Sequence, residues 1–131
     1  MSDAIDTVTA YLDAWVEGEV EKGTGFYSDD IKCVLSGRSP VSGTYEGKAA
    51  FKRGYIDRVL EITGGRWSVD GYDAVYGDGN QAIALVHETF EVDGKSPLSG
   101  RRIAIYTVED GKIVEMEAYD QDQYAVDELL S

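Results

Sequence analysis

The sequence predicts an α+β domain. Its first half repeats apolar residues at helical spacing, and its second half switches to strand-like alternation broken by glycine turns. Helices first and a meander of strands afterwards segregate the two element types, as α+β proteins do. The length, 131 residues, suits one core and therefore one domain over 1–131.

The elements follow in order. "DAIDTVTAYLDAWVEG" reads as a helix with Asp3 at its N-cap and Asp6 in its first turn. Ile5, Val8, Leu12 and Trp15 share one stripe, Tyr11 flanks it, and Gly18 is the expected stop. A shorter helix is expected over 20–27, then a strand at "IKCVLS" and a loop holding Gly37, Pro40 and Gly43. "GKAAFKRGYIDRVLEIT" is the next helix, with Phe51, Tyr55, Val59 and Ile62 inward and Gly64-Gly65 at its end. Gly54 inside it costs about 1 kcal/mol against alanine, which suits a place where another backbone or a ligand comes close. "RWSVDGYDAVY", "NQAIALVHETFEV", "GRRIAIYTVE" and "KIVEMEAYD" are four strands joined by turns. "QYAVDELLS" is either a short closing helix or an ordered tail.

Charge narrows the partners. Twenty-five acidic against 12 basic residues give a net −13, which repels nucleic acid and anionic membranes. No run reaches membrane-span length and no basic leader precedes an apolar stretch, so the expectation is a soluble, untargeted, cytoplasmic protein. Cys33 is the sole cysteine and reads as a small buried hydrophobe. One cysteine and one histidine leave too few ligands for a Cys/His zinc site, and neither metal nor cofactor is expected.

"VHETFEV" sets the question of which face its histidine and glutamate see, since strand neighbours point opposite ways. Reflecting the following loop about Lys95 places Glu88 opposite Arg102. Reading "VEDGK" as a three-residue turn pairs Val108 with Lys112, sets Arg102 against Ala118 and leaves Asp120 diagonal to Arg102. Val86, Glu88, Phe90, Arg102, Ala104, Tyr106, Met116, Ala118 and Asp120 then share one face, a pocket wall. Ile83, Leu85, His87, Ile103 and Ile105 share the other, an apolar surface expected to be covered in a homodimer.

Taken in order, "YLDAWVEGEVEKGTGFYSDD", "SPVSGTYEGKAAF", "VEDGKIVEM" and "YDQDQYAVDELL" resemble a SnoaL-like member of the nuclear-transport-factor-2-like, or cystatin-like, superfamily. The resemblance implies a curved, mostly antiparallel sheet wrapped round N-terminal helices, a cone-shaped hydrophobic pocket and a dimer through the sheet's outer face. The superfamily includes ketosteroid isomerases, polyketide cyclases, limonene-type epoxide hydrolases, dehydratases and members that only bind. Tyr11 falls where isomerases carry a pocket tyrosine, but Leu35 stands in place of their base and Ala104 near their second acid. Polyketide cyclases use an acid on the final strand, for which "AYDQDQY" offers Asp120 and Asp122. Epoxide hydrolases flank an arginine with two aspartates. Glu88, Arg102 and Asp120 resemble that grouping in kind, although Glu88 comes from a different strand.

Two functional classes follow. In the first, Glu88, Asp120 and Arg102 are catalytic in a cofactor-independent cyclase, isomerase, dehydratase or epoxide-opening enzyme. Two carboxylates sharing one arginine can hold different protonation states there, one as base and one as acid. Tyr11, Trp15, Tyr27, Tyr55, Phe90, Tyr106 and Met116 would bind a small hydrophobic substrate. In the second, the chain is a binding module or dimeric adaptor, and the charge cluster is a structural ion pair or an anchor for a ligand.

Overall fold

Helices pack on one face of a six-stranded sheet of order β2-β1-β6-β5-β4-β3. The computed structural model describes residues 3–131. In α1 (Asp3–Val16) the buried side chains are Ala4, Thr7, Val8, Tyr11, Leu12, Ala14 and Trp15. Asp3 already lies in the first turn, where it favours the helix dipole and does not cap it. α2 (Val20–Thr24) is shorter than expected, and Tyr27 opens β1 (Tyr27–Leu35). The cause is local: Gly23 lies against the Trp15 indole, where a Cβ would stand 2.6 Å from Nε1, and Phe26 N–H turns back to the Gly23 carbonyl. β2 (Gly43–Glu46) was expected as loop; its four residues carry no readable period, yet they pair antiparallel with β1.

The long helix is a composite. α3 (Lys48–Phe51) runs through a π-helical turn (Lys52–Ile56) into α4 (Asp57–Thr63). A π turn takes in one extra residue, so the buried stripe moves from Phe51 and Tyr55 to Ile56, Val59 and Thr63. Ile62, expected inward, is half-buried for that reason, while Thr63 is buried with its hydroxyl donating to the Val59 carbonyl at 2.8 Å. Gly64 ends the helix in the left-handed conformation, φ 61°. Gly54 does admit a neighbour, the Tyr45 ring, whose hydroxyl donates to the carbonyls of Val41 and Gly54.

β3 (Trp67–Asp78), β4 (Gln81–Phe90), β5 (Leu98–Glu109) and β6 (Lys112–Asp120) form the antiparallel meander, and β6 returns parallel to β1. Two register shifts in β3 mark bulges, the usual means of bending a strand. α5 (Gln123–Leu130) is the closing helix, and the Asp122 side chain caps it by accepting from Ala125 N–H at 3.1 Å.

Val108 pairs with Ile113, one residue from its expected partner Lys112, and the pairings expected for Glu88, Arg102 and Ala104 are each off by two. Glu88 lies opposite Gly100, and Val86 opposite Arg102, because the β4–β5 loop is centred on Gly94 and not Lys95. Arg102 lies directly opposite Asp120, with Ala104 against Ala118 and Tyr106 against Met116. Two one-residue effects add up here. The β5–β6 turn has two central residues, Asp110 (φ 52°) and Gly111 (φ 73°), and a bulge follows between Thr107 and Val108. A shift of two restores the facing, so the even-numbered set lies inward as expected. On the outer face Ile83 and Ile103 remain 42% and 45% exposed, and His87 meets Asp73 at 3.2 Å. No helix among the described residues is long and apolar enough to cross a membrane.

Candidate functional site

Three neighbouring strands each contribute one charged side chain to the inner face. Glu88 comes from β4, Arg102 from β5 and Asp120 from β6. Arg102 Nη1 lies 3.0 Å from Glu88 Oε1, and Arg102 Nε lies 3.8 Å from Asp120 Oδ1. Arg102 Nη2 donates to the Tyr55 hydroxyl, which the π turn presents from the helix above. Trp67 Nε1 donates to Glu88 Oε2 at 3.3 Å, so both carboxylate oxygens are engaged. Arg102 Nε has no hydrogen-bond partner among the described residues.

Burial makes these contacts consequential. Glu88 is 3% and Arg102 8% exposed. Burial pushes the Glu88 carboxyl above the usual carboxylate range, and Asp120 pushes the same way; Arg102 and the Trp67 N–H pull it back. Asp120 is also raised, by burial first, with Arg102 opposing and Asp127 reinforcing. Burial works against the charge on Arg102, yet Glu88, Tyr55 and Asp120 hold its pKa well above the usual value. The result is a permanent cation beside two carboxylates that take a proton more readily than exposed ones.

Two spaces meet at this cluster. The inner chamber is a cavity of about 30 Å³ lined by Tyr11, Trp15, Tyr27, Tyr55, Trp67, Tyr106 and Met116 among others, with Glu88 and Arg102 on its wall. The Tyr11 and Tyr27 hydroxyls share a 2.7 Å hydrogen bond. Tyr106, edge-on to Tyr11, makes no hydrogen bond to another described residue. Burial raises the pKa of all three phenols, so they stay protonated and available as donors. The outer cleft is a space of about 430 Å³ between the ends of β4, β5 and β6 and the start of α5; it is lined by Phe90, Leu98, Gly100, Arg101, Asp120, Asp122 and Val126 among others, again with Glu88.

The structure thus gathers Glu88, Arg102 and Asp120, and brings Tyr11, Trp15, Tyr27, Tyr55, Tyr106 and Met116 to one chamber. Phe90 does not join them: it lines the outer cleft, stacked on Trp67 at 6.3 Å between ring centroids. Asp120 also lies on the cleft side, and Asp122 is occupied in capping α5. Trp67 was missed by the sequence reading, although a signal existed. Reflection about Gly79-Asn80 sets odd residues of β3 against even residues of β4, and the two register shifts in β3 together restore that parity at Trp67, which pairs with Phe90 on Glu88's face. Among the described residues no three His, Cys, Asp or Glu side chains converge as a metal site requires.

This combination of a six-stranded, mostly antiparallel sheet, covering helices and a polar cluster at the chamber wall agrees with the sequence match: the chain belongs to the SnoaL-like domain family, whose model matches residues 8–116. No curated protein matches it. Among solved structures, a protein of unknown function with a cystatin-like fold from Xanthomonas campestris is 23% identical, with a TM-score of 0.90 over 100% of this chain and 99% of that one. TerC, crystallised with polyporic acid, is 19% identical, with a TM-score of 0.82 over 98% of each chain. A Jannaschia sp. CCS1 protein described as a SnoaL-like polyketide cyclase is 18% identical, with a TM-score of 0.75 over 98% of this chain and 92% of that one. At these identities the likeness shows a shared fold.

Proposed function

We propose that the chain is a cofactor-independent enzyme that moves a proton on a small apolar molecule, with Glu88 as the group that takes and returns it. One observation carries this reading: Glu88 is a buried carboxylate of raised pKa, beside Arg102, on the wall of a chamber otherwise lined by aromatic and apolar side chains. A base whose pKa is shifted toward neutrality can both remove and return a proton. Arg102 holds its oxygen and Trp67 the other, which fixes the carboxylate's orientation. Tyr106, with an unengaged hydroxyl, would donate to an oxygen on which negative charge develops. Asp120 acts through Arg102 as a positioning residue. The Jannaschia relative's description as a polyketide cyclase is compatible with chemistry of this class.

Glu88→Gln keeps the shape and removes the base. Turnover should fall by about 10²–10⁴-fold while ligand-induced thermal stabilisation persists. A screen of apolar carbonyl compounds, phenols and epoxides identifies the substrate, and full turnover in Glu88→Gln would refute the assignment. The unpartnered Arg102 Nε favours a second reading, a binding module in which the arginine anchors a ligand oxygen. In that case Arg102→Ala abolishes binding and no compound in the panel is turned over.

We also propose a homodimer through the outer sheet face, where Ile83, Ile103 and Tyr119 are each more than 40% exposed beside Leu85, Ile105 and His87. Ile103→Asp should give a monomer by sedimentation; an unchanged mass would place any interface elsewhere.

A further inference from the structure

Glu88 is the one residue that lines both spaces, the inner chamber and the outer cleft. Their sizes differ greatly. A cavity of about 30 Å³ has room for a water or two. A cleft of about 430 Å³ falls within the range of small-molecule sites, about 300–1,000 Å³. The cleft exists because β5 carries a glycine at the position that pairs directly with Glu88. Gly100 belongs to the inward-facing even set with Arg102 and Ala104, and a Cβ built on it meets nothing within 4 Å. Its backbone is not in the left-handed region, so flexibility does not explain the choice. The missing side chain leaves space in front of the carboxylate.

We infer that the substrate's body sits in the outer cleft over Gly100, and that the cleft takes an uncharged aromatic-sized alcohol or ketone. The inference rests on Glu88 as the proton-transfer group. The cleft has Phe90, Leu98 and Val126 for an apolar ring, and Glu88, Asp120 and Asp122 at its polar edge. Three carboxylates in a chain of net charge −13 disfavour an anion. Arg101, the one cation lining the cleft, is shared with Asp73 at 3.7 Å and with the Gln121 side-chain oxygen, while Arg102 lines the inner chamber and is already engaged by Glu88 and Tyr55. Only the substrate's oxygen and the adjoining C–H or O–H need reach Glu88. Gly100 is therefore the residue that sets the size of substrate admitted.

The probe is 2-naphthol, with 2-naphthoate as its charged counterpart of similar shape. Binding is followed by fluorescence and by backbone NMR shifts at Phe90 and Leu98. The wild-type protein should bind 2-naphthol at least tenfold more tightly than 2-naphthoate. Gly100→Leu should lose at least tenfold in 2-naphthol affinity with an equal or higher melting midpoint, and Gly100→Ala should lose less. Unchanged affinity in Gly100→Leu overturns the assignment, as does a wild-type protein that binds neither probe or prefers the naphthoate. Glu88→Gln separates the two ideas. If that variant keeps turnover while Gly100→Leu still loses the probe, the proton-transfer role is wrong and the seat stands.

Discussion

Arg102→Leu removes the one cation in the buried cluster and tests its electrostatics directly. In the wild-type protein the guanidinium touches Glu88 at 3.0 Å, reaches Tyr55, and lies 3.8 Å from Asp120, with only 8% of the residue exposed. Breaking a buried pair by deleting one partner costs about 3–5 kcal/mol, because the other charge is left without compensation. For a domain of this size that corresponds to about 10–15 °C in melting midpoint. The loss should depend on pH. Burial already raises the Glu88 carboxyl, and Arg102 is the main influence pulling it down, so the variant holds its proton to higher pH. A carboxyl raised in the folded state contributes stability below its unfolded pKa, about 4.3, which is lost as pH rises through the folded value. The variant's deficit should therefore be smallest at about pH 4 and grow as pH rises through the folded carboxyl's range. Urea unfolding followed by fluorescence of Trp67, which contacts Glu88, measures it. Adding Glu88→Leu should recover most of the loss, since an apolar pair can replace a buried ion pair. A cost below about 1 kcal/mol, flat across pH, would refute the view of Arg102 as the compensating charge.

Gly54→Ala should destabilise despite alanine's helical preference. Its Cβ would stand 2.5 Å from Tyr45 Cε1, and that ring is held by hydrogen bonds to Val41 and Gly54 and by its edge contact with Phe51. The expected loss is about 1–3 kcal/mol, read by thermal unfolding, and a gain would mean the ring yields freely. Cys33 is buried, and burial pushes its thiol up to about 12. A disulfide reagent at pH 8 should label it only as fast as the fold opens, with the rate rising in urea; prompt stoichiometric labelling of the native protein would contradict this.

The sequence made the facing of the site legible but not its registry. Glu88, Arg102 and Asp120 could be put on one face because strand parity survives a shift of two residues, whereas their partners could not be counted correctly. A non-glycine residue, Asp110, takes a positive φ, so the short turn was disguised as a longer one, and bulges leave no compositional mark. The π turn was equally invisible, and it decided whether Ile62 or Thr63 met the core. β2 is too short to show a period and was recoverable only through its pairing with β1. Parity counted from the "GDG" turn puts Trp67 on Glu88's face, but only because the two one-residue shifts in β3 cancel in parity; between them Tyr72 pairs with Val86.

The parallel pairing of β1 with β6 bears on how the protein is made. β1 is held between β2 and β6, the latter a strand about 80 residues further along the chain, so its closure entropy is met late. A chain still emerging from the ribosome can form α1 and the β3–β4 hairpin, but it cannot bring Tyr27 to Ile113 or Arg102 to Asp120 until β6 has been synthesised. The chamber and its charge cluster are thus products of the last folding step. Partly synthesised or C-terminally clipped chains should be blind to ligand, and a ligand that stabilises the protein can rescue only those that are full length.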